Sequence, residues 1–223
     1  MSRRMFLILL CIVSLLVLAI LASCEAAPEG SGEWYFANAL RYAQQGDYQN
    51  AIVNYTNAIN VEPLLSKAYV NRAAAYITLG EYDNAIADCD KALSLNANLP
   101  LAYVNRASAD NAKGNYEQAI QDSNKAIGLD YKISLAYINR ALAYNHEGDM
   151  AKSIADCNEA LEIDPNLPDG YYHRALAYEA LNKTDEALTD LRKVISLDKN
   201  VTLVKDAQVE ITKISSTPPT TNH

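Results

Sequence analysis

The apolar residues of this chain fall into two helical stripes that recur every 34 residues. In one such segment Tyr69, Ala73 and Tyr76 are spaced by four and three positions, which places all three on one face of a helix. Gly80 then interrupts the pattern where a helix end favours a left-handed residue. A second stripe with the same spacing follows: Ala85, Cys89 and Ala92. The segment therefore predicts two antiparallel helices joined by a short turn.

The pattern repeats five times without a gap or an insertion. The phrase AYVNRA occurs at residues 68–73 and 102–107, and variants of it begin at Ala136 and Gly170. Counting from these phrases gives five units: 32–65, 66–99, 100–133, 134–167 and 168–201. The turn carries glycine in four units and asparagine in the fifth: Gly46, Gly80, Gly114, Gly148 and Asn182. Because one helix pair cannot bury its apolar stripe alone, we expect the pairs to stack.

A period of 34 with these Tyr and Ala positions resembles the tetratricopeptide repeat. The resemblance covers residues 32–201 and implies an all-α, right-handed solenoid of five helix-turn-helix repeats, with a concave groove lined by the first helices. An apolar stripe over residues 202–214 predicts a C-terminal capping helix. Residues 215–223 are polar and are predicted to be a disordered tail.

A recurring arginine and a recurring aspartate flank the buried stripes of units two to five. Helix residues advance by about 100° each, so Arg72 lies about 60° from Tyr69, at the border of the buried stripe. The second helix has an aspartate at its own border, and unit one lacks both residues. This joint presence predicts partly buried ion pairs within each unit, with pairing to the next unit as the alternative. The pairs are Arg72–Asp88, Arg106–Asp122, Arg140–Asp156 and Arg174–Asp190.

The residue before each arginine lies on the opposite side of the first helix, about 160° from the stripe. Stacking would place Asn71, Asn105, Asn139 and His173 in one row. The row resembles the asparagine ladder of the N-acetylglucosamine transferase that modifies intracellular proteins, whose amides hold the backbone of an extended peptide. The alternative is a solvated polar face. The other residues predicted for the peptide-binding groove are Val70, Val104, Ile138, Asn111 and Asn145, with Ala74, Ile77, Leu101, Ser108 and Leu135 among its flanks.

The predicted groove is aliphatic, rich in amides and poor in charge. Co-chaperone repeats of this family clamp a C-terminal carboxylate with lysine, arginine and asparagine, but the matching places here hold Val70, Val104 and Ile138. We therefore expect a neutral or mildly basic extended segment as the partner. The formal net charge of −8 argues against nucleic acid and against electrostatic binding to anionic lipid.

Catalytic signals are absent from the sequence. It shows no Ser/His/Asp arrangement, CxxC pair or glycine-rich phosphate loop, so we expect no enzymatic activity, cofactor, metal or small-molecule substrate. Cys89 and Cys157 lie at the same buried place in units two and four, too far apart for a disulfide, and are predicted to be free thiols. Unit three has Asp110 where the other units have tyrosine, and an Asp110–Ser123 hydrogen bond would compensate.

The N-terminus differs from the repeats. Arg3 and Arg4 precede an uncharged stretch from Met5 to Ala22, which has the outline of a secretory signal and is also long enough to span a bilayer uncleaved. The small residues before Cys24 in LASC resemble the lipobox of bacterial lipoproteins. That resemblance implies removal of residues 1–23, acylation of Cys24 and a tether over residues 24–31. Either interpretation predicts a chain held at the cell membrane with its repeats on the periplasmic or extracellular side.

These features together predict a membrane-anchored scaffold or adaptor that mediates protein–protein interaction by capturing an extended peptide. Two alternatives stay open. The chain would otherwise be a non-catalytic accessory subunit that positions an envelope enzyme or assembly machine, or a structural element that self-associates through its ends.

Overall fold

The computed structural model describes residues 27–197 and 201–216 of the 223-residue chain. The predicted signal peptide (1–23), the predicted lipidation site Cys24 and most of the predicted tail lie outside these residues. Within them every regular element is an α-helix, so the predicted all-α class is confirmed. The eleven helices are α1 Gly32–Gln44, α2 Tyr48–Val61, α3 Ser66–Thr78, α4 Tyr82–Leu95, α5 Pro100–Lys113, α6 Tyr116–Leu129, α7 Ser134–Glu147, α8 Met150–Ile163, α9 Pro168–Ala180, α10 Thr184–Leu197 and α11 Val201–Ser216.

The turn inside each pair contains one residue with a positive φ. This residue is Gly46 (78°), Gly80 (77°), Gly114 (81°), Gly148 (83°) or Asn182 (58°). Residues with a Cβ are disfavoured there, and asparagine is the best tolerated exception to glycine. The recurring glycine is therefore a requirement of the backbone, and the predicted turn positions are confirmed.

Each odd-numbered helix from α1 to α9 begins at the first residue of a predicted unit. Pro100 and Pro168 occupy the first turn of their helices, where a missing N–H costs nothing. In the loops before three of these helices, a side-chain oxygen accepts the backbone N–H two residues further on. These Asx turns, which end the preceding second helix, are formed by Asn96, Asp130 and Asp164.

The first helix pair, α1 and α2, forms a compact unit that ends at Leu65. Ala39, Ala51 and Tyr55 are buried between the two helices. Glu62 closes the pair at one end, because its Oε1 accepts the Gly32 backbone N–H at 3.0 Å. This contact satisfies one of the N–H groups left open at the start of α1.

Helices α3 to α11 belong to a second compact unit, in which four helix pairs follow one another. Helices α4, α6 and α8 each pack both on their own first helix and on the first helix of the next pair, and α10 packs on α9 and α11. The crossing points hold small, fully buried residues such as Ala73, Ala107 and Ala141, which let the backbones approach closely. At the C-terminal end Leu203 and Ile211 of α11 pack against the buried Leu191 and Val194. The amphipathic helix predicted at 202–214 thus covers this end, with observed bounds Val201–Ser216.

Two expectations about single residues have opposite outcomes. Cys89 and Cys157 are free and fully buried, as predicted, and burial raises the pKa of each thiol to about 12. The expected Asp110–Ser123 hydrogen bond is wrong. Asp110 instead accepts from Asn115 Nδ2 at 3.0 Å, because the tight turn brings Asn115 back over the end of α5, and the buried Ser123 hydroxyl has no partner in the described residues.

Candidate functional site

Four arginine–aspartate pairs join the first and second helices of the pairs from α3 to α10. Arg72 Nε and Nη2 lie 2.7 Å from the two carboxylate oxygens of Asp88. The aspartates are buried, so each charge is held by a bidentate partner away from bulk water. The same fork occurs in the other predicted pairs, Arg106–Asp122, Arg140–Asp156 and Arg174–Asp190.

Arg106, Arg140 and Arg174 also reach the preceding helix pair. Arg106 Nη1 donates to Asp90 Oδ1 at 2.5 Å, and Arg140 and Arg174 donate in the same way to Asn124 and Asn158. Pairing within a unit and contact between units therefore coexist. The sequence signal for the second contact is the acidic or amide residue two positions after Asp88, Asp122 and Asp156. The arginines are thus part of the scaffold.

The residues of the predicted polar row have different hydrogen-bond partners in the structure. Asn105 Nδ2 donates to the Val70 carbonyl oxygen at 3.0 Å, and Asn139 Nδ2 donates to the Val104 carbonyl oxygen at 3.0 Å. These bonds tie α5 to α3 and α7 to α5. The predicted position of the row, opposite the buried stripe, therefore does not keep these two residues out of the packing between helices. Asn71 differs, because its Nδ2 bonds to the Lys67 carbonyl oxygen of its own helix.

Asn111 and Asn145 also connect first helices. Asn111 Nδ2 donates to the Asn139 carbonyl oxygen at 2.8 Å, and Asn145 Nδ2 donates to the His173 carbonyl oxygen at 2.9 Å. Their Oδ1 atoms are buried and have no partner in the described residues. Both residues were predicted to line the groove, but their amides are enclosed between neighbouring first helices.

The three predicted aliphatic groove residues are also buried. Val70, Val104 and Ile138 are 8%, 4% and 5% exposed. A helical wheel of one pair shows which face meets the partner helix, but it omits the first helix of the next pair. That neighbouring helix covers these side chains, so their placement on an open surface was wrong.

An open pocket of about 130 Å³ remains on the exposed side of the first helices, which we call the groove face (α3, α5, α7 and α9). Leu135 in its wall is 49% exposed, and Leu101, one turn before Asn105, is 53% exposed. No residue of the pocket wall carries a formal charge. The wall consists of Ala74, Ile77, Val104, Asn105, Ser108, Leu135 and Asn139. The structure therefore brings together two asparagines of the predicted row and several of its predicted flanks.

The chemistry of the groove face is that of hydrogen bonding and apolar contact. Burial lowers the pKa of His173 to about 4, so this imidazole is neutral at physiological pH. In the described part of the chain, no group of three or more His, Cys, Asp or Glu side chains is arranged to hold a metal ion. Among the described helices, none has the length and apolar character needed to span a bilayer.

Comparison with protein families gives matches to the tetratricopeptide repeat over most of the second compact unit, which begins at Ser66. Three models with that description match residues 66–99 and 134–167, residues 157–189 and residues 101–133. The matched segments together cover more than half of the chain. The two matches of the first model have the same limits as the predicted units two and four. No curated protein matches the sequence.

Several solved structures share the fold. A thermophilic TPR protein from Thermus thermophilus is 19% identical with a TM-score of 0.68, covering 82% of this chain and 98% of that chain. A tetratricopeptide repeat protein from Parabacteroides merdae is 24% identical with a TM-score of 0.66, covering 82% and 71%. YrrB, described as a TPR protein with an unusual peptide-binding site, is 18% identical with a TM-score of 0.57, covering 78% and 90%. At these identities the likeness concerns the fold.

Proposed function

The chain belongs to the tetratricopeptide repeat family, and we propose that it captures an extended peptide segment of another protein on its groove face. The family fold supports the coarser conclusion that the chain is a protein–protein interaction scaffold. The observation that carries the finer proposal is the uncharged pocket between α3, α5 and α7, with amides and half-exposed leucines around it. An exposed apolar surface next to hydrogen-bonding groups suits the capture of an extended chain.

The charge of the groove face indicates the kind of partner. A buried carboxylate needs a cation or several donors to offset its desolvation, and the pocket wall contains no lysine or arginine. The whole chain is acidic, with a net charge of −8. Both features favour a neutral or mildly basic segment over an acidic tail. YrrB supports the mode of binding only by sharing the fold, since its peptide-binding site is a property of that protein.

We also propose that the chain is anchored to the cell membrane with the repeats outside the cytoplasm. The support comes from the sequence: two arginines, the apolar stretch Met5–Ala22 and the small residues before Cys24. Acylation of Cys24 would hold the chain at the membrane through several acyl chains, and an uncleaved Met5–Ala22 would hold it through a helix. The scaffold would then present its groove face to proteins of the envelope.

Site-specific photocrosslinking tests groove capture in the full-length chain. Replacing Ser108 with a photoreactive amino acid places the reactive group in the pocket. Replacing the exposed Ala87 of α4 with the same photoreactive amino acid is the matched control outside the groove face. We expect Ser108, and not Ala87, to give a crosslink to another protein in native membranes. Crosslinks from Ala87 alone would contradict the proposal.

The identity of the crosslinked protein separates the proposal from its alternatives. A partner joined through a short extended segment, mapped by mass spectrometry, supports peptide capture. A second copy of this chain would indicate self-association. An enzyme joined only through positions outside the groove face would indicate an accessory subunit.

A further inference from the structure

Two amides of the groove face are held in fixed orientations. The Nδ2 atoms of Asn105 and Asn139 each donate at 3.0 Å to a backbone carbonyl oxygen of the preceding first helix. Turning either amide by 180° would set its Oδ1 against that carbonyl oxygen, so hydrogen bonding selects one orientation. Within the described residues neither Oδ1 has a hydrogen-bond partner. Each Oδ1 is therefore a prealigned acceptor, which reduces the entropy lost when a ligand binds to it.

The outer members of the row lack this geometry. The Asn71 amide bonds to the Lys67 carbonyl oxygen of its own helix. At the other end, His173 presents an imidazole in place of an amide. Acceptors fixed by the neighbouring helix are thus confined to α5 and α7 within the row. This confinement points to one local subsite in place of a ladder along the whole groove face.

The pocket lies at the same two asparagines. Its volume of about 130 Å³ is well below the ~300–1,000 Å³ that is typical of small-molecule sites. The volume and the apolar wall from Ala74, Ile77 and Leu135 suit a single aliphatic side chain. A charged side chain would lose its hydration there without meeting an opposite charge.

We infer that the groove face has one recognition subsite, between α5 and α7, for an extended segment of neutral sequence. Backbone N–H groups of the segment donate to Asn105 Oδ1 and Asn139 Oδ1, and one Val, Leu or Ile side chain enters the pocket. Neighbouring helices are about 8–10 Å apart and an extended chain rises about 3.3 Å per residue, so about three or four residues span the subsite. The inference rests on the proposed peptide capture and specifies its ligand.

The subsite can be tested with a displayed library of random eight-residue peptides, selected on the full-length chain in detergent micelles. We expect the selected peptides to share one aliphatic position with no acidic residue beside it. Ser108→Leu fills the pocket and should weaken their binding at least tenfold. This variant should fold, because unit four carries Leu142 at the same place. Ala87→Leu adds the same side chain on the exposed face of α4 and should change binding less than twofold.

Methylation of single peptide nitrogens tests the hydrogen bonds. We expect N-methylation to weaken binding at least tenfold at two positions near the aliphatic residue, and to have little effect at the remaining positions. Equal affinity of all methylated peptides would overturn the role of the two Oδ1 acceptors.

The outcomes of these experiments distinguish failure of the subsite from failure of the proposed peptide capture. Peptides that bind Ser108→Leu as well as the unchanged chain, or that require an acidic residue at the shared position, would overturn the subsite while leaving peptide capture in place. Selection of no binding peptide at all would contradict peptide capture itself, and the subsite with it.

Discussion

Neighbouring residues of the recurring phrase AYVNRA have different partners. Arg106 forms a fork with Asp122 of its own unit and reaches Asp90 of the preceding one. Asn105, the residue before it, bonds to the Val70 backbone and lines the pocket. The asparagine therefore has a structural role as well as the binding role that we propose for it. A change at this residue acts on both, so stability has to be measured together with binding.

Replacing Asn105 tests its structural role. Asn105→Ala removes a hydrogen bond between two helices, and we expect the free energy of unfolding to fall by about 1 kcal/mol. Asn71→Ala is the matched control, because its amide bonds only within its own helix and the fall should be a few tenths of a kcal/mol. Urea unfolding followed by circular dichroism measures both. Equal losses in the two variants would show that the bond to Val70 adds no stability.

Asp110 should make stability depend on pH. Burial raises the pKa of this carboxyl above its ordinary value of 3.8, so the folded state disfavours the charged form. A group with a raised folded pKa favours folding at pH below 3.8, and this contribution is lost as pH rises through the folded pKa. Asp110→Asn should therefore stabilise the chain at neutral pH, with a gain that shrinks toward acidic pH. Unfolding curves at several pH values measure this, and a gain independent of pH would contradict it.

The helix pair is the scale at which the sequence was most informative. Gly114 is required by the positive φ of the turn, and Ala107 by the close approach of two helices. Both requirements are local to one helix pair, so the 34-residue period was enough to predict where each pair lies in the sequence. The groove face was less predictable. Val104 is buried in one cluster with Ala126 of its own second helix and Ala136 of the next first helix, and one pair contains no information about that neighbouring helix.

Two glycines of one pair should respond oppositely to the same substitution. Gly114 has φ 81° with open space around an added Cβ, so Gly114→Ala should cost about 1–2 kcal/mol through backbone strain alone. Gly128 lies inside α6, also with open space, so Gly128→Ala should add about 0.5–1 kcal/mol of stability. Thermal unfolding of the two variants measures the effects. A loss of stability in both would mean that contacts, and not backbone conformation, decide the outcome.

At the scale of the whole molecule, the sequence suggests a division between an anchor and a binding array. The prediction of the array rests on a pattern that recurs five times, whereas the prediction of a lipid anchor rests on a single short motif that ends at Cys24. The pocket could not be located from the sequence alone. It forms where three successive first helices meet, and its size depends on side chains from all of them.

Replacing Cys24 distinguishes the two forms of anchoring. If Cys24 carries the lipid, Cys24→Ala should abolish incorporation of labelled palmitate and leave the signal peptide uncleaved, which gives a heavier chain on a denaturing gel. Ser23→Ala keeps a small residue before the cysteine and should behave like the unchanged chain. If Met5–Ala22 is instead an uncleaved anchor, neither variant will change mass or label.

The two buried cysteines allow local opening of the repeat array to be measured by thiol labelling. With a pKa of about 12 and no exposed surface, Cys89 and Cys157 cannot react with a thiol reagent while their helix pairs are closed. They lie in units two and four, so their labelling rates report on two separate places in the repeat array. Repeat proteins can open locally, one region before another. Comparing the two labelling rates, with and without a bound peptide, would show which helix pairs the ligand holds closed.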